Sequence, residues 1–205
     1  MMPEKPISIK EIRKLSEDAK EKLIAKIEQD ARYNEVKYFG CCQVVLDALQ
    51  RNLDIGNGGA FRAASGLLGG VAMAREVCGA LVGGVMGIGL VYGRASLTTE
   101  NVGPENLKFL ETRVRGSRLC ERFREKFGSL RCADVMVSVG RRDFARFNTL
   151  EAFEDHAKCE KVTGPASRFA AEIILQPTEL FTDEINALLD DIRQIRKEQQ
   201  TQGKI

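Results

Sequence analysis

The fold is decided by residues 77–92, which read VCGALVGGVMGIGLVY. These sixteen residues carry no charge, and Gly79, Gly83 and Gly87 recur every four positions, which places them on one face of a helix. Each glycine costs about 1 kcal/mol of helix propensity relative to alanine, so such a helix needs another backbone packed closely against it. The stretch therefore predicts a buried helix over residues 75–91, packed either inside the chain or against a second copy in a homodimer.

Amphipathic helices are predicted on both sides of this central helix. Ser8 and Glu11 have the spacing of a capping box, and apolar residues then recur every three or four positions as far as Ala31. Similar spacing indicates helices over 35–49, 60–68, 104–128, 167–175 and 182–199, with breaks at 69–70 and 164–165 and a short helix capped by Thr149. No strand alternation occurs. The predicted fold class is all-α: a compact helical bundle around a buried glycine-rich helix, with long N- and C-terminal amphipathic helices.

The composition is that of an ordinary globular protein, with 205 residues, 43% hydrophobic and 29% charged residues, and a net charge of +2. This near-neutral total argues against a dedicated nucleic-acid binder. Residues 77–92 are too few and too rich in glycine for a membrane span, and the N-terminus lacks the apolar run of a signal peptide. We therefore expect a cytoplasmic protein with an N-terminal helix (1–34), a central domain (35–176) and an acidic C-terminal helix and tail (177–205).

Charge is unevenly distributed along the second half of the chain. Residues 113–146 contain ten Lys and Arg against four Asp and Glu, whereas residues 150–191 contain ten acidic against three basic residues. Two solvated helix faces that partly neutralise each other would explain this pattern. The alternative is that the arginines border an anionic site, such as a cluster of thiolates.

The residues that bear chemistry are six cysteines, at positions 41, 42, 78, 120, 132 and 159. None of them forms a CxxC motif, and in a reducing compartment cysteines are more often free, metal-bound or catalytic than disulfide-bonded. Cys78 begins the central helix, where amide groups and the helix dipole favour a thiolate. Cys132 follows a helix end and has the cationic neighbour Arg131, whereas Cys120 lies among core positions of a helix and is assigned to packing.

Several motifs together resemble the redox-active family labelled C_GCAxxG_C_C after its four separated cysteines. The resemblance covers roughly residues 35–175. The motifs are FGCCQVV (39–45), FRAASGLLGG (61–70), CGALVG (78–83) and FREKFGS (123–129), followed by the later cysteines. Carried over residue by residue, the resemblance implies that the family cysteines are Cys42, Cys78, Cys132 and Cys159. Cys42 is preferred to Cys41 because it directly precedes Gln43-Val44-Val45.

The resemblance implies redox activity with an electron donor or acceptor protein as partner. A similar domain in split-Soret cytochromes resembles an iron–sulfur holder, so we expect the four cysteines to hold an iron–sulfur or other metal centre. The alternatives are a thiol–disulfide oxidoreductase without metal and a structural zinc protein. Expected supporting residues are Cys41, Gly79, Arg131 and His156. His156 precedes Cys159 by three positions and is either a metal ligand or proton carrier on the same helix face, or an ordinary surface histidine.

Overall fold

The structure of the chain is a computed structural model that describes residues 9–97, 104–142 and 149–202, except for the side chains of residues 104 and 105. Apart from one isolated β-bridge, the regular elements in these ranges are helices, which confirms the all-α prediction. No helix in these ranges is both long and apolar enough to cross a bilayer. The α-helices are α1 (Ile9–Ile12), α2 (Glu17–Tyr38), α3 (Cys41–Leu53), α4 (Gly58–Ala63), α5 (Gly79–Tyr92), α6 (Pro104–Phe127), α7 (Cys132–Ser138), α8 (Leu150–Ala157), α9 (Glu160–Leu175) and α10 (Thr182–Thr201).

The glycine-rich helix α5 lies at the centre of the bundle and contacts α3, α6 and α9. Its glycine face packs on α3. A Cβ atom added at Gly83 would lie 2.5 Å from the carbonyl oxygen of Cys42, and one added at Gly87 would lie 2.5 Å from Cδ1 of Leu49. The close packing predicted from the four-residue spacing is therefore made within the chain. The homodimer stays a prediction.

The two helices α2 and α9 pack along each other and complete the core around α5. Ile24, Ile27 and Ala31 of α2 are buried in the same apolar cluster as the inner face of α9. The buried hydroxyls of Thr163 and Ser167 donate to the carbonyl oxygens of Ala31 and Ile27, both at 3.4 Å. The domain boundary expected at residue 34 falls inside α2, so this helix joins the N-terminal segment to the central core.

Helix boundaries near the N-terminus differ from the prediction. The capping residue Ser8 lies outside the described residues, and the predicted helix to Ala31 is interrupted after α1 because Ser16 caps a new helix, its hydroxyl accepting from the Ala19 amide. α2 then continues to Tyr38, past the predicted start of the next helix. The break comes at Phe39 and Gly40, whose φ angles are 60° and 91°, so that α3 begins at Cys41.

The bend predicted at Gly164-Pro165 is wrong, because both residues lie inside α9. A proline inside a helix removes a backbone donor and costs about 3 kcal/mol or more. Here the surrounding packing outweighs that cost, since Gly164 and Pro165 are buried among α9 residues that face α2. The short helix predicted after Thr149 is confirmed as α8, with the Thr149 hydroxyl accepting from the Ala152 amide at 3.1 Å.

The C-terminal helix α10 packs on α6 through a small apolar cluster that includes Leu110, Val114 and Ile185. Arg118 of α6 forms an ion pair with Glu184 of α10, and Arg122 lies 2.5 Å from Glu172 of α9. The basic segment 113–146 and the acidic segment 150–191 thus partly neutralise each other, as expected if their charges lie on two solvated helix faces.

Candidate functional site

A small, largely enclosed cavity of about 20 Å³ lies beside the N-terminal end of α5. Four cysteines line it, each from a different segment: Cys41, Cys78, Cys132 and Cys159. The polar side chains in the wall belong to Glu35, Arg141, His156 and Thr163, and most of the remaining lining residues are apolar. All six cysteines of the chain are free thiols.

Three of the four cysteines expected from the resemblance line the cavity, but Cys42 does not. Its side chain is fully buried on another face of α3, in a cluster with Leu46 and Ala64, and its Sγ atom lies 3.8 Å from Sδ of Met86. The neighbouring Cys41 takes the place in the cavity instead. Cys41, expected as a supporting residue, thus lies in the cavity where the sequence led us to expect Cys42, and the functional set of cysteines stays a prediction.

The turn before α3 and the glycine face of α5 together set the position of Cys41. Successive helix residues point about 100° apart, so the start of α3 at Cys41 decides which thiol faces the cavity. The Cys41 Sγ atom rests against Gly79, where any Cβ atom would collide with it and would also lie 2.8 Å from the Leu67 carbonyl oxygen. The supporting role expected for Gly79 is thus a steric one: it makes room for the Cys41 sulfur atom.

Cys78 and Cys132 are held next to each other by a backbone strap, defined here as residues 69–77. Val77 and Arg131 form the isolated antiparallel bridge, and the Cys78 amide donates to the Leu130 carbonyl at 2.9 Å. The Cys132 amide donates to the Glu76 carbonyl at 2.5 Å. A Cβ atom at Gly70 would lie 2.7 Å from Cβ of Cys132, so the strap also presses against the site directly.

The strap has an unusual backbone conformation. Residues 69–73 all have positive φ angles, and this run includes the β-branched Val71 at 61°. Left-handed conformations cost an L-residue other than glycine about 1–2 kcal/mol each. The bridge to Arg131, together with the hydrogen bonds that backbone amides donate to the carbonyl oxygens of the strap, holds this conformation. Sequence reasoning recognised only the break at Gly69-Gly70, because a left-handed run has no periodic signature.

Cys159 is in contact with a buried cation that sequence analysis did not single out. Arg141 follows α7, its side chain is only 3% exposed, and one of its Nη atoms donates to the Cys159 Sγ atom at 3.2 Å. Arg131, the arginine expected to support the site, is instead exposed and does not line the cavity. The cation that contacts a cavity thiol is therefore Arg141, and the supporting role expected of Arg131 stays a prediction.

His156 is buried and faces the cavity, which rules out the interpretation as a surface histidine. Its Nε2 atom lies 3.4 Å from Oε1 of Glu35, whose side chain is completely buried. The imidazole also packs edge-on against the ring of Phe39, with centroids 4.6 Å apart. The cavity wall thus contains an acid–imidazole pair beside the thiols.

The cavity thiols are held in their protonated form by burial. Burial raises the pKa of Cys41 well above its ordinary value, and burial raises the pKa of Cys78 to about 12 and that of Cys159 to about 11. Amide groups of Ala80 and Leu81 do lower the pKa of Cys78, as its place at a helix start predicts, but desolvation is the larger effect. The prediction of a thiolate at Cys78 is therefore wrong for the metal-free cavity.

These pKa values predict that the reduced, metal-free protein loses stability in alkaline solution. An unfolded thiol titrates near pH 9, whereas the folded Cys159 and Cys78 titrate at about 11 and 12. Above pH 9 the unfolded chain has released protons that the folded chain still binds, so the free energy of unfolding falls by about 1.4 kcal/mol per pH unit for each thiol. The midpoints of urea unfolding, measured between pH 8 and pH 11, report how steeply the free energy of unfolding falls with pH. The slope should become shallower in Cys78→Ala, and an unchanged slope would contradict the predicted cause.

The donor side chains of the cavity do not form a ready site for a single metal ion. In the ranges that the structure describes, no group of three or more His, Cys, Asp and Glu side chains is arranged to hold one ion. The four thiols face one space, but they do not converge on a single point in it. Any single-ion site at these cysteines would require the lining segments to move.

Comparison with known proteins places the chain in a family. No curated protein and no solved structure matches it significantly. One family model matches residues 39–173, which span well over half of the chain and include all four cavity cysteines together with Arg141 and His156. On that match, the chain belongs to the family described as "Putative redox-active protein (C_GCAxxG_C_C)".

Proposed function

We propose that this protein is a redox protein whose cavity holds an iron–sulfur cluster on Cys41, Cys78, Cys132 and Cys159. The observation that carries the proposal is that four cysteines, from four separate segments, line one largely enclosed cavity. Four cysteine thiolates are the usual ligand set of such a cluster, which would supply one-electron redox chemistry. The electron donor or acceptor would be another protein.

Hydrogen-bond donors around the sulfur atoms support a thiolate-ligated centre. The Gly69 amide is directed at the Cys41 sulfur, and the amides of Ala80 and Leu81 are directed at the Cys78 sulfur. Arg141 donates to the Cys159 sulfur. Donors such as Arg141, and to a smaller extent the nearby amides that oppose the burial-raised pKa values of Cys41 and Cys78, stabilise negative charge on ligating sulfur atoms and raise the reduction potential of a cluster. Without a bound centre, these donors face neutral thiols, which are weak acceptors.

A single zinc ion makes a stricter geometric demand on the four cysteines than a cluster does. One zinc ion requires four sulfur atoms at about 2.3 Å from one point. The described side chains provide no such convergence. A cluster is several atoms wide, and a four-iron cluster binds each cysteine through a different iron atom, so its ligands surround a space instead of meeting at one point.

Burial argues against the alternative of thiol–disulfide exchange. That reaction starts with an accessible thiolate attacking a partner disulfide. Cys78 and Cys132 are only 5% and 6% exposed. The pKa values of Cys41, Cys78 and Cys159 are all raised by burial, so each is protonated at neutral pH. Cys41 and Cys159 are partly exposed, but their burial-raised pKa values make them slow nucleophiles at neutral pH.

Anaerobic purification, followed by reconstitution with ferrous iron and sulfide, tests the proposal. We expect a brown protein with a broad absorption band near 400 nm, and stoichiometric iron and acid-labile sulfide. Cys120→Ala is the matched control, because Cys120 lies outside the cavity and should retain the full iron content. A colourless protein with one zinc ion would replace the proposal with a structural zinc site. A colourless, metal-free protein that cycles between two thiols and a disulfide would replace it with thiol chemistry.

A further inference from the structure

The guanidinium of Arg141 has more N–H groups than its neighbours accept hydrogen bonds from. One Nη atom donates to Cys159 Sγ at 3.2 Å, and Nε lies 3.6 Å from Oδ2 of Asp155, which is too far for a hydrogen bond. Among the described residues, Nε and the second Nη of this nearly fully buried guanidinium have no hydrogen-bond partner. A buried, incompletely paired arginine is costly, and the carboxylates available to it are Asp155, 3.6 Å from Nε, and Glu35, which is buried and lines the same cavity.

The nearby carboxylate of Asp155 does not cancel the charge of Arg141. Asp155 accepts from Lys158 Nζ at 2.7 Å and from the Arg142 amide at 2.8 Å, both closer than Arg141. Burial raises the pKa of Asp155, but the hydrogen bonds from Lys158 and the Arg142 amide, with the charges of Lys158 and Arg141, outweigh it and lower the pKa. Because Lys158 and the Arg142 amide lie closer to Asp155, this carboxylate offsets the charge of Arg141 only in part, and Arg141 is the cation that contacts a cavity thiol. Its guanidinium carries this charge at every physiological pH.

We propose that Arg141 is a positioning residue that sets the reduction potential of the centre through Cys159. This inference rests on the proposed function and assigns the residue that tunes the site. Reduction adds one negative charge to a thiolate-ligated centre, and a buried cation stabilises the reduced state more than the oxidised state. The Nη atom that already donates to the Cys159 Sγ atom at 3.2 Å would meet that charge without rearrangement.

Potentiometric titration of the reconstituted protein with dithionite and mediators tests this role. In Arg141→Met, which keeps much of the side-chain length but removes the charge, we expect the ratio of reduced to oxidised centre at a fixed potential to fall about tenfold. This corresponds to 59 mV for a one-electron couple. Arg141→Lys retains the charge and should recover most of the difference. Arg131→Met is the matched control, because Arg131 is exposed next to Cys132 and should leave the potential unchanged. The proposal would be overturned if the reduction potential of Arg141→Met equalled that of Arg131→Met.

Alkylation of the metal-free protein gives a second measurement that does not depend on the cluster. The Arg141 charge favours the thiolate of Cys159, so in Arg141→Met we expect iodoacetamide at pH 8 to label Cys159 about tenfold more slowly, as read by peptide mass spectrometry. Arg141→Lys should label within about threefold of the parent protein. A Cys159 rate in Arg141→Met that matches or exceeds the parent rate would overturn the role of Arg141. Failure of the parent protein to bind a cluster would overturn the proposed function and this role together, whereas a bound cluster whose potential is unchanged in Arg141→Met would overturn the role alone.

Discussion

Replacing Cys41 by alanine is expected to abolish cluster binding, whereas the same replacement at Cys42 leaves it intact. Cys41 lines the cavity, and its sulfur faces Gly79 and the Gly69 amide. Cys42 is buried against Met86 in a separate apolar cluster, where no other thiol contributes to its raised pKa of about 12. A site that loses one of four ligands retains little iron, so we expect a drop of at least tenfold in iron content for Cys41→Ala.

Iron and sulfide analysis after reconstitution measures the difference between these two variants. Both substitutions remove one sulfur atom from adjacent residues of α3, so each is the best control for the other. Cys42→Ala removes a fully buried group and should lower the free energy of unfolding by about 1 kcal/mol, which a urea titration would detect. The reverse result, with iron lost only from Cys42→Ala, would restore the assignment expected from the family pattern.

Substitution of Gly83 by alanine is expected to be the most destabilising single-methyl change in α5. The added Cβ atom would lie 2.5 Å from the carbonyl oxygen and 3.2 Å from the carbonyl carbon of Cys42. These are backbone atoms of α3 and cannot rotate away, so the two helices must separate. Overpacking of this kind costs about 1–3 kcal/mol and occasionally more. Because α3 carries Cys41, the same shift should also lower the iron content of the reconstituted protein.

Gly89 in the same helix provides the matched control. A Cβ atom at Gly89 meets no atom within 4 Å, so alanine there should gain helix propensity and stabilise the protein by about 1 kcal/mol. Urea unfolding of the two variants should therefore move the midpoint in opposite directions. Equal effects at the two positions would mean that α5 does not pack on α3 as closely as the structure indicates.

Local sequence patterns were sufficient to predict much of the fold. The uncharged stretch with Gly79, Gly83 and Gly87 predicted a central helix that packs closely, and this helix is α5, although it begins at Gly79 rather than at residue 75. The helix that begins at Pro104 and the short helix capped by Thr149 were also predicted correctly. These features depend on helical periodicity and on caps, which are properties of neighbouring residues.

The site depended on contacts between distant segments. Cys41 and Cys42 are adjacent in sequence, and only the turn at Phe39-Gly40 and the packing of α3 on α5 decide that the first of them faces the cavity. No local pattern distinguishes the buried Arg141 from the exposed Arg131, because burial is a property of the assembled fold.

The sequence by itself determined the helical fold class, the central glycine helix and the family, since each is encoded in short-range spacing and motif order. The tertiary structure alone decided which cysteine faces the cavity, which arginine contacts a thiol and that Pro165 lies within a helix. The physical reason is that side-chain direction, desolvation and the compensation of local strain all arise from contacts between segments that are far apart in the chain.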